Sequence, residues 1–337
     1  MILITGGGTG GHLSIAKAIA IEYNKRGIKP IYIGSTNGQD KAWFENSELF
    51  SKTIFLSSSG VVNQNFFGKI KSLLNIFKLS FHVKKIIKEN GITKVFSVGG
   101  YSSAAASFGA ILSKTPLFIH EQNAVMGKLN KILKPFAKEV FSSYDKNSPA
   151  KDYPVVDAWF KLAKEHKTLK TVAFLGGSQG ARFINDLAKE SAFWFKENGI
   201  KIVHQTGSKE YENIKEFYKK NDIEADVFSF FSPLHVKLED VDFAVSRSGA
   251  GSMWELVAAR IPALFIPYPF AAANHQYYNA KVIEKKGGCI IKTQKELDAK
   301  VLITLLCSVD TLALSLALKD IIQENGAKEI VDIIELY

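Results

Sequence analysis

Four short turns rich in glycine and small polar residues hold the side chains best suited to chemistry. Gly6-Gly7-Gly8-Thr9-Gly10-Gly11 follows an apolar run and leads into a helical pattern that opens on His12. Gly99-Gly100-Tyr101-Ser102, Gly176-Gly177-Ser178-Gln179-Gly180 and Arg247-Ser248-Gly249-Ala250-Gly251-Ser252 repeat the arrangement. Glycine lets the backbone approach a ligand closely, and the free N–H groups at the start of the next helix attract phosphate. Ligands of open α/β sheets bind outside the carboxyl ends of the strands, so four such turns point to one bound molecule carrying phosphate. His12, at a helix start, is expected to be neutral and able to accept a proton. Glu255, one helical turn beyond the small residues of the fourth turn, is placed to accept hydrogen bonds from a ribose.

The elements that position these residues read as short apolar strands alternating with longer amphipathic helices. Strands are expected at Ile2–Thr5, Pro30–Gly34, Thr53–Leu56, Lys94–Val98, Leu117–His120 and Glu139–Ser142. A second set is expected at Thr171–Leu175, Ile202–Gln205, Asp226–Phe228, Phe243–Ser246, Ala263–Ile266 and Cys289–Ile291. Helices are expected between them, at Leu13–Arg26 and Ser102–Ser113 for example. This alternation is the mark of parallel sheets built from βαβ units. The pattern lapses between Asp145 and Lys170, which reads as a linker. Each half starts with a strand running into glycines, so the expected fold is α/β, two Rossmann-like parallel-sheet domains facing across a cleft. The boundaries are drawn at 1–153 and 154–323, with a last helix at about 324–337 packing back on the first domain.

Composition narrows the function classes. A chain of 337 residues, 46% apolar and 23% charged, can bury two cores. Two cysteines, Cys289 and Cys307, make neither a disulfide framework nor a zinc site, which suits a reducing compartment. No secretory signal is read at MILITGG, and the best apolar run, Val257 to Ala273, is broken by Arg260 and three prolines. A dinucleotide site needs an acid at the end of the second strand, and Ile33-Gly34-Ser35-Thr36-Asn37 offers none. Asp240-Val241-Asp242 matches the metal-binding D-x-D of some sugar transferases, but it precedes a strand and so falls at the wrong end of the sheet. No metal and no cofactor are expected.

Taken in order, the motifs carry a resemblance. The four turns are joined by His120-Glu121-Gln122-Asn123 and by Asn274-His275-Gln276 near Asn279-Ala280. Together they closely resemble the MurG family of bacterial transferases, which add N-acetylglucosamine to lipid I to make lipid II. The resemblance runs from about residue 2 to the C-terminus. It implies the GT-B architecture, inversion at the anomeric carbon and no essential metal. It also implies that Thr9, Gly10, Gly11 and Asn123 contact the donor sugar and that Ser178 binds the nucleotide end. Phe231 falls where the family usually has an isoleucine whose backbone reads uracil. Ala250, Gly251, Ser252, Met253, Trp254 and Glu255 match the helix start that embraces the diphosphate, with Glu255 on the ribose hydroxyls. Gln276 matches a glutamine that holds sugar hydroxyls. Val156 stands where the family usually has a linker arginine; of the four arginines, Arg247 is the best placed to substitute. His12 is the first choice for the base and Glu121 the competitor. UDP-N-acetylglucosamine and lipid I are the implied substrates.

The charge is unevenly placed. Residues 1–150 carry 19 Lys and Arg against 8 Asp and Glu, whereas residues 151–337 carry 24 against 25. Within residues 60–94 seven lysines and one acid interleave with phenylalanine, leucine and isoleucine. Such a surface suits an anionic membrane. Nucleic acid is not expected, because nothing matches a groove-reading or base-stacking motif. The resemblance implies a peripheral protein on the cytoplasmic face of the bacterial inner membrane.

Overall fold

The computed structural model describes residues 1–58, 65–177, 180–231 and 233–337. All twelve expected strands form, each within about a residue of the expected ends. The first sheet holds β1 (Ile2–Thr5), β2 (Ile31–Ser35), β3 (Lys52–Leu56), β4 (Lys94–Ser97), β5 (Leu117–His120) and β6 (Glu139–Phe141). Between them run α1 (Gly10–Lys25), α2 (Asp40–Phe44), α3 (Phe66–Glu89), α4 (Ala104–Ser113) and α5 (Lys128–Leu133). The second sheet holds β7 (Thr171–Leu175), β8 (Lys201–Gln205), β9 (Ala225–Phe228), β10 (Phe243–Ser246), β11 (Ala263–Phe265) and β12 (Cys289–Ile291). Its helices are α6 (Arg182–Glu197), α7 (Tyr211–Lys220), α8 (Ala250–Ala258), α9 (His275–Glu284), α10 (Ala299–Ser308) and α11 (Thr311–Leu318), before the chain ends in α12 (Gly326–Glu335).

Both sheets are wholly parallel and share one topology, β3-β2-β1-β4-β5-β6 and β12-β11-β10-β7-β8-β9. Every residue of β1 and β7 is buried, as expected of strands covered by helices on both faces. The chain divides into two compact units, Met1–Val156 with Asn325–Tyr337, and Asp157–Glu324. In the first, Leu3, Val95, Leu117 and Ile119 pack with Val83, Ile86 and Ile87 of α3 and the alanines of α4. Gly109 lets α3 and α4 approach, since a Cβ there would lie 2.8 Å from a Val83 methyl. In the second, Val172, Phe174, Phe243 and Val245 pack with Ile184, Leu187 and Phe195 of α6 and with Leu302 and Leu306 of α10.

Helix α1 starts three residues earlier than expected, because Thr9 is already extended and lets Gly10 and Gly11 enter the first turn. Helix α4 starts later, since Tyr101–Ser103 winds as a 3₁₀ turn.

Candidate active site

The shared topology explains why there are four glycine turns. The strand order reverses between β1 and β4 in one sheet and between β7 and β10 in the other, and these are the strands that lead into the turns. Thr5 lies beside Ser97 and Leu175 beside Ser246, so turns far apart in sequence become neighbours. A topological switch point of this kind leaves a crevice outside the strand ends.

In the first unit the two turns interlock. The Gly7 N–H donates to the Gly99 carbonyl at 3.2 Å. Gly100 has a φ of 77°, and a Cβ there would collide with the Gly7 carbonyl. His12, half-buried in the first turn of α1, has Thr9 Oγ1 2.9 Å from Nδ1 and Gln122 Nε2 2.8 Å from its own Nε2. An amide nitrogen only donates, so this network assigns the ring proton to Nδ1 and the lone pair to Nε2. Glu121 is buried and takes three donors: the Asn123 N–H, the Gly127 N–H and the Asn130 amide, each at 2.9 Å. Its carboxylate thereby folds the loop after β5 and presents Gln122 to His12. His120, at the end of β5, is fully enclosed; burial first, and His12 nearby second, push its pKa down to about 3. That ring is a neutral spectator.

The second unit is built differently. Gly249 begins α8 with no side-chain cap, and among the described residues α8 has no acid in its first turn. The first helical hydrogen bond is Met253 N–H to Gly249, which leaves the amides of Ala250, Gly251 and Ser252 without helical partners. Beside them Ser248 is fully buried, with no hydrogen-bond partner for its hydroxyl among the described residues. Arg247 Nη1 donates to the carbonyls of Ile266 at 3.0 Å and Pro267 at 3.4 Å, and Nη2 to Gln294 Oε1 at 2.9 Å. Tyr268 lies against the guanidinium, 5.7 Å from ring centre to Cζ. Burial pushes the Arg247 pKa below its ordinary value, without bringing an arginine near neutrality at physiological pH. Backbone dipole and guanidinium are both suited chemically to an anion.

The other expected residues fall around these two centres. Glu255 is half-buried one turn into α8, while the Met253 and Trp254 side chains are buried. Gln276, at the start of α9, accepts the Tyr268 N–H at 2.9 Å. Just before it Ala273 and Asn274 hold φ near 50°, a left-handed pair that costs about 1–3 kcal/mol per residue and favours functional loops. Phe231 is half-buried, 6.2 Å from Phe228 with Lys237 over its face. Ser178 lies outside the described residues. Asp242 accepts from the Lys170 and Thr171 amides at the opposite end of the sheet, so the D-x-D match serves the start of β7.

Sequence reasoning missed Asp40. It is fully buried, bonds the Gly8 N–H with one oxygen and takes the Ser35 N–H at 2.8 Å with the other. The available signal was an acid five residues beyond a strand, too late for a ribose but well placed for the glycine turn. It also missed α5 and its extension, where Lys128, Lys131, Lys134 and Lys138 flank exposed Ile132 and Phe136.

Comparison with known proteins identifies the family and the fold. Residues 2–142 match the glycosyltransferase family 28 N-terminal domain and residues 171–335 the family 28 C-terminal domain. A UDP-N-acetylglucosamine–N-acetylmuramyl-(pentapeptide) pyrophosphoryl-undecaprenol N-acetylglucosamine transferase of Campylobacter hominis is 50% identical over 331 residues, covering 98% of this chain and 96% of the relative. The transferase of the same name from Campylobacter fetus subsp. fetus is 49% identical over 332 residues, covering 98% of both. The crystal structure of Acinetobacter baumannii MurG superposes with a TM-score of 0.78 at 23% identity, covering 100% of this chain and 99% of that one, and shares the GT-B fold. With both domain models matched and near-half identity over almost the whole length, the chain belongs to glycosyltransferase family 28, in its MurG group.

Proposed function

We propose that this protein transfers N-acetylglucosamine from UDP-N-acetylglucosamine to the 4-hydroxyl of the N-acetylmuramyl-pentapeptide carried on undecaprenyl diphosphate, converting lipid I to lipid II. The observation that carries this reading is the near-half identity, over nearly full length, to transferases bearing that name. The donor binds the second unit: the diphosphate on the amides of Ala250–Ser252 and on Arg247, the ribose on Glu255, and the sugar on Gln276. Phe231 borders the uracil, and Ser178 adds a contact at the nucleotide end. The first unit supplies Thr9, Gly10, Gly11 and Asn123 to the transferred sugar.

In the reaction the acceptor O4 forms a bond to the anomeric carbon from the face opposite UDP, the bond to the diphosphate oxygen breaks, and the linkage becomes β. The α8 dipole and Arg247 receive the charge growing on the leaving diphosphate. The O4 proton passes to His12 Nε2, where the acceptor hydroxyl displaces the Gln122 amide. Glu121, with both oxygens occupied by donors, acts on the chemistry by holding that loop in place.

The undecaprenyl chain requires a membrane, and α3 supplies a surface for it. Phe67 is 81% exposed, and Ile70, Leu73, Leu74, Phe77 and Phe81 are also exposed among lysines. The α5 segment repeats this composition. Among the described residues no single helix is long and apolar enough to cross a membrane. The reading lays the α3 face against the surface of the cytoplasmic leaflet.

A turnover assay with lipid I and radiolabelled donor tests the reading, with formation of lipid II as the expected result. UDP binding without sugar transfer would sink it. Salt-sensitive binding to anionic vesicles, with none to oligonucleotides, is expected of the membrane surface.

A further inference from the structure

The Arg247 guanidinium is half-buried, and among the described residues its hydrogen-bond partners are all neutral: two backbone carbonyls at the end of β11 and the side-chain oxygen of Gln294. Arginine can only donate, so the oxygen at 2.9 Å is unambiguously the Gln294 acceptor. Proteins usually match a buried cation with a carboxylate, and a glutamate in this place would differ from Gln294 by one atom. Gln294 sits in a 3₁₀ turn fixed by its own capping box, in which Glu296 takes the Thr293 N–H at 2.8 Å. That acid therefore serves its own turn, next to an uncharged residue aimed at the arginine.

We infer that Gln294 is a positioning residue for the donor site: it fixes the Arg247 fork without neutralising it, so that the guanidinium's charge remains available to the diphosphate. Holding the fork by carbonyls and an amide fixes its geometry in advance, and binding the anion then supplies the missing counter-charge. The inference rests on the proposed assignment of UDP-N-acetylglucosamine to this unit.

The test compares Gln294→Glu and Gln294→Met by calorimetric titration of the full chain with UDP, alongside thermal melts. Gln294→Glu keeps the shape and the acceptor while adding an internal counter-ion. It should raise the UDP Kd about tenfold at low salt and leave Tm equal to or above wild type. Gln294→Met loses the acceptor but adds no charge, and should raise Kd by about threefold or less. The opposed movement of affinity and stability in Gln294→Glu is a signature that a merely structural role does not produce. A Gln294→Glu protein that binds UDP like wild type overturns the inference, as does an equal loss in both variants accompanied by equally lowered Tm. Absence of UDP binding by wild type overturns the donor assignment as well, which separates the two failures.

Discussion

The glycine turn after β1 and the one after β10 look alike in sequence but are braced by side chains of opposite charge. The first holds an acid of its own: Asp40 takes the Gly8 and Ser35 amides and ties the turn to the end of β2. The second contains a cation, and among the described residues the first turn of α8 has no acid and Arg247 bonds only neutral groups. A glycine turn is therefore a supply of N–H groups, and what fills it is decided by acids elsewhere in the fold. The turn after β1 is braced by Asp40 and leads into the helix that carries His12.

That contrast can be broken from either side. The largest effect is expected at His12, where His12→Ala should lower kcat by about 10²–10⁴-fold and leave UDP affinity nearly intact, measured by lipid II formation and by titration. If His12→Ala keeps most of its kcat while Glu121→Ala loses it, the base belongs to the loop after β5. Next comes Glu255→Ala, which should weaken donor binding by about 1.5–3 kcal/mol for each charge-assisted hydrogen bond removed. An unchanged donor KM with a lowered Tm would instead make Glu255 a structural residue.

Asp40→Asn sharpens the comparison. It puts an amide N–H against a backbone N–H, so stability should fall by about 1–3 kcal/mol while the UDP Kd stays the same. A weakened Kd in this variant would mean that the two turns are not independent. The smallest effect is one the units share, because each encloses a histidine with a pKa pushed down to about 3, His120 and His204, chiefly by burial. Their folded pKa values lie below the unfolded value of about 6.5, so their stability contribution is complete above that pH and is lost as pH falls. Each should cost about 1 kcal/mol at pH 6, rising at lower pH. Denaturant midpoints at pH 7.5 and 6 check this, and His204→Gln should flatten the slope by about half.

The strands were legible because they are short apolar runs, several of them ending in glycine or a small polar residue, as in Ile2–Thr5 before Gly6 and Phe243–Ser246 before Arg247. Their ends drift by a residue because burial on both faces removes the alternation that marks a boundary. Motif positions were equally legible, but the direction of side chains was not. Met253 and Trp254 share the helix start with Ala250 and Gly251, yet the α8 rotation turns them inward. Asp40, Gln122 and Gln294 act through hydrogen bonds to residues distant in sequence, and a local pattern contains no trace of such pairs. Glu121 shows the converse, since a carboxylate that reads as reactive is saturated by its own loop.

The last helix has a consequence for how the chain is made. Helix α12 belongs to the first unit, where Arg26 pairs with Asp332 at 2.7 Å, Tyr23 donates to Glu335 at 2.9 Å and Ile330, Val331 and Ile334 are buried. The second unit is one uninterrupted stretch, whereas the first is closed by residues synthesised after all of it. On the ribosome the usual N-terminal-first order is therefore reversed: the second unit has its whole sequence before the first does. Until Glu335 emerges, α1 leaves the Tyr23 hydroxyl without that carboxylate and an apolar surface uncovered. A polypeptide released early keeps a foldable second unit and an unfinished first one, which marks it for chaperones and proteases.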